Sequence, residues 1–119
     1  MKTPGELQED ITQLRAALGT ATEAYKDLCM DFAEKNHRLK RERARKYLEL
    51  KVKKKAEKPT VNDLEYMTFL EIEDIDYDRD IAEALKESQL QAIKSICTQV
   101  EATRSQLSAI VREIRETEY

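Results

Sequence analysis

Twelve lysines and arginines stand between Lys35 and Lys58, at 35, 38, 40, 41, 43, 45, 46, 51, 53, 54, 55 and 58. Four glutamates (34, 42, 49 and 57) fall in or beside the run, which leaves it at +8 in a chain whose formal charge is −3. The chemistry open to such a cluster is phosphate neutralisation: ammonium and guanidinium groups at this density hold a polyanion with little regard for base sequence. A charge run is more often only a solvated helix face. Glu34/Arg38, Glu42/Lys46 and Glu49/Lys53, at i,i+4 in the favourable order, would keep that helix formed in water. The surplus of base over acid is what demands a compensating partner.

Other chemistry is harder to build. Asp74-Ile75-Asp76-Tyr77-Asp78-Arg79-Asp80 has the look of a calcium loop, which needs Gly at its sixth position and a bidentate Glu at its twelfth. Starting from Asp74 puts Arg79 and Leu85 there, and starting from Asp76 puts Ile81 and Glu87, so neither register serves. Acidic residues favoured at a helix N-terminus explain Asp76, Asp78 and Asp80 more simply. The single His37 lies in the basic run with no nucleophile turn near it, and Gly5 and Gly19 make no phosphate loop. Cys29 and Cys97 lack metal-ligand spacing and read as reduced, partly buried apolar residues. A non-enzymatic binder with no cofactor is expected. Tyr47 is expected to continue the apolar helix edge, with stacking on a base as the alternative.

Displaying those cations requires a long helix, and the composition agrees. Charged residues make up 38% of the 119 residues and aromatics 6%, with two Gly and two Pro, so helices should run long with few breaks. Thr3-Pro4-Gly5-Glu6 fits a capping box with Thr3 as N-cap. Leu7, Ile11, Leu14, Leu18, Ala21, Tyr25, Leu28, Phe32 and then Leu39 follow at spacings of four and three, a heptad seam. Gly19 inside it costs about 1 kcal/mol against Ala. Tyr47, Leu48, Leu50 and Val52 extend an apolar edge through the basic stretch, and Pro59 should close a helix over 3–58. Thr60, with Asp63 three residues on, caps a short helix over 60–72.

From Val61 to Leu90 the charge inverts: ten acidic residues against Arg79 and Lys86 give −8. Residues 73–77 read as an acidic connector and 78–117 as the last helix. Its expected apolar positions are Ile81, Leu85, Ala92, Ile96, Val100, Leu107, Ile110 or Val111, and Ile114. From Ile93 through Ile96, Val100, Thr103, Leu107, Ile110 and Ile114 the spacing is again three and four, offset from the earlier part by a stutter. Two seams of similar length joined by a short helix predict a single all-α domain over 1–119. Its two long helices would form an antiparallel, coiled-coil-like hairpin, self-associating to bury its stripe. The basic and acidic blocks could neutralise each other within a subunit or head-to-tail between subunits. No signal peptide, membrane span or lipidation motif is recognisable, so a soluble cytoplasmic protein is expected.

The basic helix Arg38-Leu39-Lys40-Arg41-Glu42-Arg43-Ala44-Arg45-Lys46-Tyr47-Leu48, the acidic break and a C-terminal helix containing Ala92-Ile93-Lys94-Ser95-Ile96-Cys97 resemble the UvsY family of phage recombination mediators. The basic helix also resembles a run common in small phage proteins. The resemblance covers most of the chain in organisation and implies a closed, ring-like homo-oligomer that binds single-stranded DNA through basic residues. It further implies help in displacing single-strand-binding protein and loading a RecA-like recombinase, in the host cytoplasm. By position, the implied DNA-binding residues are Arg38, Lys40, Arg41, Arg43, Arg45 and Lys46, followed by Lys51, Lys53 and Lys54. The N-terminal heptads are more regular than the family pattern. Two other functions fit the charge blocks: a coiled-coil assembly scaffold, and an acidic decoy, Glu71–Glu87, that occupies a nucleic-acid-binding protein.

Overall fold

The computed structural model describes Met1–Glu118, and its elements are helical. Helix α1 spans Pro4–Lys53, a single 3₁₀ turn follows at Lys55–Glu57, α2 spans Val61–Glu71 and α3 spans Glu73–Glu118. The start of α1 falls where expected, with Thr3 as N-cap: its hydroxyl accepts the Glu6 N–H at 3.2 Å and its carbonyl accepts the Leu7 N–H at 3.0 Å. Its end comes earlier than Pro59 alone would require. Lys58 takes a left-handed conformation (φ 49°) and donates its N–H to the Lys55 carbonyl, so the last residues tighten into the 3₁₀ turn. Thr60 and Asp63 then exchange two 3.1 Å bonds in a full capping box that starts α2.

Between α2 and α3 stands one residue, Ile72, whose N–H reaches the carbonyls of Thr68 and Phe69. The connector expected over 73–77 is therefore helix. Glu73, Asp74 and Asp76 occupy the first turn of α3, where carboxylates favour the positive end of the helix dipole. Acidity there marks a helix start rather than a break.

The chain divides into two compact units. The first joins Met1–Lys26 to residues 87–118 as an antiparallel helix pair. Leu14 shares a hollow with Gln99 and Ala102, Leu7 shares one with Ile110, and Gln89 donates to the Ala21 carbonyl at 3.0 Å. Leu7, Ile11 and Ala21 are buried and Leu14, Leu18 and Tyr25 half-buried, matching the N-terminal seam. Across from them, Ile93, Ile96, Val100, Thr103, Leu107 and Ile110 are half-buried as the spacing predicts, while Ile114 stays exposed.

The second unit, Asp27–Lys86, packs the rest of α1 with α2 and the start of α3. Its core is Leu39, Leu64, Thr68, Ile72 and Ala82; the buried Thr68 hydroxyl is satisfied by the Leu64 carbonyl at 2.7 Å. Here the expected α3 positions are corrected. Ile81 and Leu85 are 41% and 51% exposed, and Ala92, in the first unit, is exposed as well. The inward residues are Ile72, Ile75, Arg79, Ala82 and Lys86, which run on at three and four into Gln89 and Ile93 without a stutter. Long cationic side chains can occupy such positions because their aliphatic stems bury while their heads find partners. The Lys86 ammonium lies 4.4 Å from the centre of the Phe32 ring. The Arg79 guanidinium meets Asp76, Asp80 and Glu83 at 3.3–3.5 Å.

Candidate nucleic-acid interface

The expected phosphate-binding residues all lie on the part of the chain that belongs to the second unit, and the packing of α2 and α3 sorts them into groups. Arg38, Arg41 and Arg45, at i, i+3 and i+7, share the solvent face of α1 opposite Leu39 and Leu50. They span about 10 Å of helix. Arg38 and Arg41 are exposed and make no salt bridge with the described residues. Arg45 is engaged: its Nη2 donates to Glu42 at 2.6 Å and its Nη1 stands 3.7 Å from Glu49. The Arg45 bond holds the Glu42 carboxyl below the usual carboxylate range, with Arg41 and Arg38 adding to the effect, and Glu42 raises Arg45 in return.

Lys40 and Arg43 point to another side. They edge a groove of about 730 Å³ floored by Tyr47, Leu48, Thr68 and Phe69, with Glu65 and Asp76 on the far rim. Tyr47 is half-buried here against α2, continuing the apolar edge. Lys46 and Lys53 edge a separate hollow with Leu50 and Glu71, in which Lys46 pairs with Glu49 at 3.3 Å and Glu71 at 3.9 Å. Lys54 is half-buried and pairs with Glu57 at 3.7 Å, whereas Lys51 is exposed. The structure thus brings together Arg38, Arg41 and Arg45, and separates them from Lys40 and Arg43 and from Lys46, Lys53 and Lys54.

The acidic block does not cover the basic one. Among the described residues a single salt bridge, Lys46 to Glu71, joins the basic stretch to Glu71–Glu83. The carboxylates of Asp76, Asp80 and Glu83 converge instead on Arg79 of their own helix. Of neutralisation within the subunit, one of the two arrangements expected for the charge blocks, that contact is what the salt bridges between the basic stretch and Glu71–Glu83 show among the described residues. Exposed pairs of this kind contribute at most about 1 kcal/mol each, and none of them involves Arg38 or Arg41.

Sequence reasoning did not find the groove. The meeting of Thr68 and Phe69 with Tyr47 and Leu48 depends on the α1–α2 packing, which no spacing in the sequence encodes. No group of three or more possible metal ligands occurs among the described residues, and no described helix is long and apolar enough to cross a membrane. Comparisons with protein-family models, with curated proteins and with solved structures give no match.

Proposed function

We propose that the protein binds single-stranded DNA through phosphate contacts along the basic part of α1, without base-sequence preference and without catalysing a reaction. The observation that carries this reading is the free state of Arg38 and Arg41: two exposed guanidinium groups on one helix face, in a +8 stretch that the acidic block leaves almost untouched. Arg45 joins them once a phosphate competes with Glu42 and Glu49. Lys51 extends the surface toward the C-terminal end of α1. The organisation shared with UvsY-type mediators supports a role in recombination. In that role an oligomer presents several such helices to one strand, displaces single-strand-binding protein and helps a RecA-like recombinase load.

The test is a salt titration of binding to a fluorescent oligothymidine, with the wild type and the Arg38→Ala, Arg41→Ala, Arg45→Ala triple variant. Wild-type affinity should fall steeply with salt. Removing three phosphate contacts should lower the log–log slope by about 2, because each contact on a single strand contributes roughly 0.7. Equal affinity and slope in the two proteins would remove the basic face from the reading. Faster coating of protein-covered single strands by a RecA-like recombinase, lost in the same variant, tests the mediator role separately. The scaffold reading draws on a different observation, the apolar residues that α3 turns to solvent.

A further inference from the structure

Tyr77, Ile81 and Leu85 recur at i, i+4 and i+8 on the face of α3 that points away from the core, and they are 66%, 41% and 51% exposed. The row is about 12 Å long. Exposed acidic residues border it: Glu73 and Asp80 along one side, Asp80 being paired with Arg79, and Asp74 and Asp78 along the other. An amphipathic helix normally turns its apolar stripe inward. This segment has one stripe in the core, through Ile72, Ile75 and Ala82, and a second outside it.

The same unit also holds an open apolar groove with a cationic edge. Leu48 and Phe69 on its floor are 61% and 47% exposed, and Lys40 and Arg43 on its edge have no salt-bridge partner among the described residues. On the opposite rim Asp76 is already paired with Arg79, which leaves Glu65 as the opposing charge. The unpaired charges are then two cations against one carboxylate, and the exposed apolar surface of Leu48 and Phe69 between them suits an apolar helix bordered by carboxylates better than a polar sugar-phosphate backbone.

We propose that the Tyr77–Ile81–Leu85 stripe of one copy seats in the α1–α2 groove of a second copy. Its bordering Asp74 and Asp78, which have no salt-bridge partner among the described residues, then face Lys40 and Arg43. The two surfaces lie on different parts of the same chain, so the contact is heterologous and repeats head to tail, producing a closed ring or a filament. This deepens the assembly part of the proposed function, and it divides the cations: Lys40 and Arg43 serve the neighbour, while Arg38, Arg41 and Arg45 remain open to phosphate. The contact itself requires no nucleic acid.

Light-scattering mass without DNA tests it. A stripe variant (Ile81→Glu, Leu85→Glu) and a groove variant (Arg43→Glu, Leu48→Glu) alter exposed side chains, and helical circular dichroism verifies that both fold. The wild type should have the mass of several 13.9 kDa chains. Each variant alone should fall to the mass of one chain. Mixed in equal amounts, they should form a complex of two, because the groove variant keeps its stripe and the stripe variant keeps its groove. A monomeric wild type, a variant that keeps the wild-type mass, or a mixture that stays monomeric overturns the proposal. So does a groove variant of unchanged mass that has lost affinity for oligothymidine, since the groove would then hold bases. Loss of DNA binding in the Arg38/Arg41/Arg45 variant leaves these masses unchanged, so the two readings fail independently.

Discussion

The two units solve the same packing problem with opposite arrangements. In Met1–Lys26 with residues 87–118, the inward positions are mostly Leu, Ile, Val and Ala, and the outward ones polar. In Asp27–Lys86, α3 turns Arg79 and Lys86 inward and Tyr77, Ile81 and Leu85 outward. The first arrangement gives each apolar side chain to the chain's own stability. The second gives up some of that burial and leaves an apolar surface exposed, with charges of known sign around it. If the proposed assembly holds, stability and recognition fall on different stretches of the same helices.

Deleting side-chain volume should separate the two most clearly. Ile11→Ala empties a buried seam position and is expected to cost about 2–4 kcal/mol in urea unfolding followed by circular dichroism. Leu85→Ala at high dilution should change stability by no more than about 0.5 kcal/mol, as for other exposed positions. A loss of 2 kcal/mol or more for Leu85→Ala in a monomer would erase the distinction. Next in size is Thr60→Ala, which removes the capping box that sets the first turn of α2. It should cost about 1 kcal/mol and loosen the groove wall, seen as faster amide exchange from Val61 to Leu64.

The smallest expected effect concerns Glu42. Its folded-state carboxyl titrates below the ordinary value because Arg45 stabilises the charged form. The contribution of the pair is complete above the ordinary carboxylate value and disappears as pH falls through the lower, folded one. In Arg45→Ala the Glu42 midpoint, followed by carbon NMR, should move up toward that of an unperturbed glutamate. An unmoved midpoint would mean that Arg45 is free for phosphate already.

The N-terminal seam is legible because nine apolar residues keep one period, interrupted only by Lys35 between Phe32 and Leu39. The same reasoning misassigned Ile81 and Leu85, since it equates apolar with inward. Arg79 and Lys86 break that equation by burying their stems beside Ala82 while carboxylates and the Phe32 ring receive their heads. Residues 73–77 were read as a connector from their charge, although carboxylates at a helix N-terminus strengthen the helix they begin. The basic surface was plain from composition. Its division among three directions was not, because the location of α2 against α1 is decided by Leu64 and Thr68 meeting residues far away in sequence.

Ile72 makes up the whole joint between α2 and α3, and a joint of one residue has no slack. Inserting a single amino acid there would change how α2 leaves α3 and carry Leu64 and Thr68 out of register with the core. The stretch from Lys54 to Pro59 contributes no buried residue, so a change of chain length there, with the Thr60 cap kept, should disturb the core less than one at Ile72.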